Sequence, residues 1–215
     1  MPDCLTGQDL SCIRGERLVF TGLSFRLEAG GALVLRGPNG SGKSSLLRLI
    51  AGLARPTTGV IAWNGADVAE DRTAHRARLA YVGHADAVKL ALTAAENLTF
   101  WTGLRGGGNV SDALARLGLT PHAQVAARFL SSGERRRLAL ALLAAGDAEL
   151  WLLDEPTVGL DTASLAALEA LIAEHRRKGG MVALSTHTAL ALGEADTIDL
   201  GAFTVARWTP DADAL

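Results

Sequence analysis

The sequence predicts an α/β domain with a mostly parallel sheet. An antiparallel β portion lies toward the N-terminus, and a helical segment is inserted into the core. Three observations carry this. Short apolar runs of strand type alternate with amphipathic helical patterns, the arrangement of a parallel α/β sheet. A glycine-rich segment, Gly37–Ser44, joins one such strand to one such helix. From about Thr93 to Gly146 the pattern is helical throughout, broken only by Gly106-Gly107-Gly108.

In chain order, residues 8–36 hold the β-like runs LVF, LSFRL and ALVLR, with turn signals at Gly15, Gly22 and Gly30-Gly31. Gly37–Ser44 opens a helix whose apolar residues are Leu46, Leu47, Leu49 and Ile50. The strand-like GVIAW and LAYVG follow. After the helical stretch comes a buried-type strand, Leu150–Leu153, ending at Asp154. A helix with Leu165, Leu168, Leu171 and Ile172 on one face then leads to a second buried strand, Met181–Leu184. These patterns divide the chain into one domain with residues 1–86 and 147–215 as its core and 87–146 as a helical subdomain.

Bulk properties narrow the function classes. Of 215 residues 48% are hydrophobic but only 5% aromatic, so the core is built of Leu, Ala and Val. A net charge of −2 without a basic tail gives no electrostatic footprint for nucleic acid. Cys4 and Cys12 lack a CxxC spacing and read as free thiols of a reducing compartment. MPDCLTGQDL is no signal peptide, and the longest apolar run, Leu138–Ala145, falls far short of the about 20 residues that span a bilayer. Any membrane role is expected to come from a partner.

GPNGSGKS at Gly37–Ser44 fits G-x-x-x-x-G-K-S at every fixed position, in the strand–helix setting that the motif requires. Glycines let backbone N–H groups close around phosphate oxygens, and the helix N-terminus adds its dipole. Lys43 supplies a mobile charge for the β- and γ-phosphates, and Ser44 a hydroxyl for Mg²⁺. In LWLLDEP a buried strand delivers Asp154 beside that loop to hold Mg²⁺ through water. Glu155 is placed to orient or deprotonate an attacking water, and Asp161 to cap the next helix. His187, after MVALS-Thr186, has two readings: a lone strand-end histidine is more often structural, and as a γ-phosphate contact its neutral imidazole can donate a hydrogen bond. The other histidines (75, 84, 122 and 175) show no metal-ligand pattern and read as surface or helix-packing residues.

LSSGERRR at 130–137 reads locally as a serine-capped helix start with Glu134 in its first turn and a solvated basic face. That leaves Gly133 unexplained, since glycine weakens a first turn. A bare helix N-terminus is also a ready anion site.

Together, the phosphate loop, LSSGE, LWLLDEP, GLD and STH, in that order, resemble the ATP-binding subunits of ABC transporters over nearly the whole chain. The resemblance implies a P-loop NTPase core, ATP and Mg²⁺ as cofactors, and a head-to-tail nucleotide sandwich of two subunits. It implies a nucleotide site of Arg14, Gly37, Pro38, Asn39, Gly40, Ser41, Gly42, Lys43, Ser44, Ser45 and Asp161, closed in trans by Ser131 and Gly133 of the other subunit. Lys43, Glu155 and His187 are the implied catalytic groups, and Ser44 and Asp154 the metal-binding ones.

Within that family the chain is most similar to the haem-exporter ATPases of cytochrome c maturation. RGERLVFTGLSF, GVIAWNG, YVGH and LTAAENLTFW carry this, and the short length fits. The similarity implies integral membrane partners of the CcmB/CcmC type and a peripheral place on the cytoplasmic face of the bacterial inner membrane. Two departures stand out. Arg14 occupies the position where most of the family stacks an aromatic residue on adenine; its planar guanidinium can stack as well. Ala85 stands where the family has glutamine, with Asp86 beside it. The competing classes are a soluble ABC-type ATPase acting on DNA or the ribosome, an exporter of another substrate, and a phosphate-loop kinase. The first of these shows none of its usual coiled coils or tandem cassettes here, and a kinase has no use for LSSGE.

Overall fold

A computed structural model describes residues 3–204; Met1, Pro2 and residues 205–215, placed in the core by the sequence reading, lie outside the described residues. Two sheets form the scaffold. The first contains β1 (Cys4–Arg14), β2 (Arg17–Glu28), β4 (Thr58–Trp63) and β5 (Ala66–Asp67), in the order β2-β1-β4-β5 with every pair antiparallel. The second contains β3 (Ala32–Arg36), β6 (Leu79–Val82), β7 (Leu150–Asp154), β8 (Met181–Ser185) and β9 (Asp196–Asp199), in the order β6-β7-β8-β3-β9 with every pair parallel.

The inner strands of the parallel sheet are buried on both faces, which is why β3, β7 and β8 read as apolar runs. Period-two alternation sorts their side chains. Leu33, Leu35, Leu150, Leu152, Met181 and Ala183 face a core shared with the antiparallel sheet and helix α1 (Lys43–Ile50). Val34, Trp151, Leu153, Val182 and Leu184 face a second core, built with α5 (Ser132–Ala145) and α6 (Thr162–Arg177). Helices α3 (Ala94–Gly103) and α4 (Val110–Arg116) complete that second core through Ala94, Leu98, Ala113 and Leu114. Truncating a fully buried leucine such as Leu152 should cost about 2–5 kcal/mol.

The structure adds elements that the residue patterns hid. β1 starts at Cys4, α2 (Arg72–Ala77) follows β5, and the polar segment Asp196–Asp199 forms edge strand β9. Gly22 does not end a strand: β2 runs through it, and the β1–β2 register shifts nearby as in a bulge. Among the described residues no helix is long and apolar enough to cross a membrane. Both cysteines are free, and burial pushes the Cys12 thiol up from its ordinary pKa.

Candidate functional site: a phosphate cradle at the ends of the parallel strands

The loop after β3 and the start of α1 form a cradle at the C-terminal ends of the parallel strands, the usual ligand end of such a sheet. Gly42 is the N-cap of α1, with φ 104° and no side-chain cap, so the first helical N–H groups stay free for an anion. A Cβ there would stand 2.6 Å from Val19 Cγ1 and 2.9 Å from Phe20 Cδ1, so both backbone conformation and packing require glycine. The Lys43 ammonium folds back into the loop, donating to Gly37 O at 2.8 Å and Pro38 O at 3.3 Å. Ser41 Oγ is buried in the same loop with no partner. Free N–H groups, a cation resting on carbonyls and an orphaned hydroxyl fit a polyphosphate.

Around this loop opens a cavity of about 640 Å³. Asn39, Gly40, Gly42, Lys43, Ser44 and Ser45 line its floor, Arg14 and Arg17 of the β1–β2 turn one wall, and Glu155 and His187 another. His84, an exposed surface residue as its sequence reading has it, also lines the cavity.

Asp154 ends β7 nearly fully buried, and its Oδ1 accepts from the Ser185 hydroxyl at 2.8 Å. The same hydroxyl accepts from Glu155 N–H at 2.9 Å. Ser185 thus holds both carboxylate residues in register, a role not visible in the residue pattern. Glu155 sits at φ 49°, a left-handed conformation that costs a non-glycine residue about 1–2 kcal/mol. Such strain persists where surrounding contacts over-determine it, as at functional sites. His187 Nε2 lies 3.3 Å from Glu155 Oε1 and 3.3 Å from Lys43 Nζ. No cluster of three or more His, Cys, Asp or Glu side chains that could hold a metal ion occurs among the described residues.

Other residues do not join this cavity. Asp161 caps α6, accepting from Ser164 N–H at 2.8 Å; those hydrogen bonds hold its carboxyl below the usual range. Ser131 and Gly133 lie at the start of α5, outside the cavity of their own chain. That start is not bare. Ser131 Oγ accepts from Glu134 N–H at 3.2 Å while Glu134 Oε2 accepts from Ser131 N–H at 2.7 Å, a complete capping box. Glu134 also pairs with His122 at 3.0 Å. Gly133 has a packing reason too, since a Cβ would stand 3.0 Å from Gly159 O. Asp86 is not among the residues lining the cavity and pairs with Arg136 at 2.9 Å.

Comparison with known proteins agrees with this geometry. Residues 20–158 match the family model described as ABC transporter. The cytochrome c biogenesis ATP-binding export protein CcmA of Paramagnetospirillum magneticum is 53% identical over 211 residues, covering 95% of this chain and 97% of that protein. Its namesake from Rhodospirillum rubrum is 53% identical over 204 residues, covering 94% and 88%. Among solved structures, a putative ABC transporter ATP-binding protein from Pyrococcus furiosus superposes with a TM-score of 0.82 at 25% identity, covering 94% of this chain and all of that one. With a matched family model and relatives of this identity along nearly its full length, the chain belongs to the ABC transporter ATP-binding proteins, in the branch of the cytochrome c biogenesis export ATPases.

Proposed function

We propose that this chain is the ATP-hydrolysing subunit of a transporter that exports or delivers haem for the assembly of c-type cytochromes. It works as a peripheral protein on the cytoplasmic face of the inner membrane. The observation that carries the reading is the 53% identity to export ATPases named for cytochrome c biogenesis, across a chain whose phosphate cradle is intact. Its partners are integral membrane subunits of the CcmB/CcmC type and a second ATPase subunit.

In this reading the loop N–H groups, Ser41 and Lys43 bind the phosphates, and Arg14 stacks on the base. Mg²⁺, when bound with ATP, neutralises charge developing on the phosphates; Ser44 and Asp154 hold it, with Asp154 acting through water. Glu155 orients and deprotonates the attacking water, and His187 donates toward the γ-phosphate. Ser131 and Gly133 reach the nucleotide of the second subunit. The capping box consumes some α5 donors but leaves the Ser132 and Gly133 N–H groups for that contact. Asp161, at the end of the loop after β7, faces the subunit junction.

The experiment is complementation of a strain lacking its own ATPase of this branch. Haem-stained c-type cytochromes should return with the wild-type chain and not with Lys43→Ala, whose purified form should lose hydrolysis and most ATP binding. An integral membrane protein should co-purify with the wild type. Restored cytochromes with Lys43→Ala, or ATP affinity unchanged by it, would count against the assignment.

A further inference from the structure

Three consecutive arginines open α5, and they do different things. Arg135 donates to Leu130 O, just before α5, and Arg137 to Leu117 O, at the end of α4. Arg136 is only 5% exposed and points into the junction between α5 and two loops of the parallel sheet. Each of its guanidinium nitrogens is engaged. Nε donates to Pro156 O at 3.4 Å, and one terminal nitrogen to Asp154 O at 2.9 Å and Glu155 O at 2.7 Å. The other donates to Gly83 O at 2.8 Å and Asp86 Oδ1 at 2.9 Å. All five donors of the fork are used, and Asp86 balances the buried charge.

These acceptors lie on two segments with chemistry attached. Residues 154–156 carry Asp154 and the strained Glu155. Gly83 and Asp86 bracket His84 and Ala85, so fixing both anchors fixes the bend from which His84 faces the nucleotide cavity. The helix bearing Arg136 begins at Ser131 and Gly133.

We propose that Arg136 is a positioning residue that locks the 83–86 loop and the 154–156 turn onto the first turns of α5. The helix end that closes on the partner subunit's nucleotide and the carboxylates that act on its own then move as one body. This rests on the sandwich reading above. A lysine can replace it only in part, because an ammonium has no planar fork to span two loops.

The test uses the full chain. Arg136→Met keeps the side chain's length and removes every donor. ATP affinity should stay near that of the wild type, since no phosphate-binding group is touched. kcat per bound nucleotide should fall on the order of 10²-fold, the effect of misplacing a reacting group by about 1 Å. In a Glu155→Gln background, the ATP-dependent dimer should need about tenfold more ATP once Arg136 is also changed, the weight of one charge-assisted hydrogen bond. Arg136→Lys should recover part of kcat. A purely structural role would lower the melting temperature and the amount of folded protein without splitting kcat from affinity. Folded Arg136→Met with wild-type kcat would overturn the proposal. Should Arg136→Met not fold, Asp86→Asn decides, because it keeps shape and the four carbonyl contacts. A lowered kcat with unchanged affinity sustains the proposal, and a wild-type kcat overturns it. The sandwich reading fails separately, if Glu155→Gln alone stays monomeric with ATP; the kcat measurement then still judges Arg136.

Discussion

His187 Nε2 and Glu155 Oε1 stand 3.3 Å apart, and that same nitrogen is 3.3 Å from Lys43 Nζ. A single imidazole nitrogen cannot donate to the carboxylate and accept from the ammonium at once. With the proton on Nε2, His187 holds Glu155 and leaves Lys43 to the Gly37 and Pro38 carbonyls. With Nε2 bare, it holds Lys43 and frees Glu155. An anion that draws Lys43 out of the loop therefore favours the tautomer protonated on Nε2, whose single N–H then has Glu155 and the anion itself as alternative acceptors.

Glu155→Gln keeps the side chain's shape and its backbone at φ 49°, so stability should change little. Loss of the general base should slow hydrolysis by about 10²–10⁴-fold while ATP still binds. Hydrolysis no longer opens the closed state, so a nucleotide-bound dimer should accumulate in light scattering. A variant monomeric at every ATP concentration would argue against the sandwich.

Ser131→Arg separates the two roles of the α5 start. It removes the cap that accepts from Glu134 N–H, at a cost of about 1 kcal/mol in stability. It also places a bulky cation where the partner's γ-phosphate should lie. ATP binding by the monomer should survive and hydrolysis should stop. Mixed with Lys43→Ala subunits, it should give at most one working site per dimer. Normal hydrolysis would mean that Ser131 is a helix cap and nothing more.

What the residues disclosed in advance was whatever a local rule dictates. Gly42 needs φ 104° and closeness to Val19, so a glycine there announces itself. The runs 150–153 and 181–184 are strands buried on both faces, and they read as such. Hidden features depend on tertiary contact. Asp196–Asp199 is a strand only because it pairs with β3. The three arginines look alike until α5 is placed over the β6 and β7 loops, where only Arg136 turns inward. His84 and Ser185 gain meaning from neighbours remote in the chain.

Two histidines, His75 buried and His175 half-buried, set an acid limit on stability. His75 Nε2 lies 2.7 Å from Ile50 O, and His175 stacks on Trp151 with centroids 3.9 Å apart. Burial holds both pKa values below the ordinary 6.5. The unfolded chain therefore takes up these protons first, and the stability present above pH 6.5 declines as pH falls toward the lowered folded values. The urea midpoint should be lower at pH 5 than at pH 8. His75→Gln, which still donates to Ile50 O, should flatten that dependence even if it lowers the midpoint at pH 8. An unchanged slope would remove His75 from the account.

Ala85 is the residue on which basal activity should turn. It is exposed on the bend between Gly83 and Asp86 and has no polar side-chain atom to offer Mg²⁺-bound or attacking water. Asp86 does not fill the gap, because its carboxylate is committed to Arg136 at 2.9 Å. Losing one preorganised donor that faces developing charge costs about 10²–10³ in rate, and a contact made through water costs less. The purified subunit should therefore hydrolyse ATP slowly, and Ala85→Gln should raise kcat. Because the backbone at this bend is anchored on both sides by Arg136, the new side chain should enter a fixed loop without reshaping it. If a group on the membrane partner supplies the missing contact, the wild type should gain more from that partner than Ala85→Gln does. Measuring kcat for both proteins, alone and in the membrane complex, decides the matter. Equal rates in both settings would show that Ala85 does not limit hydrolysis.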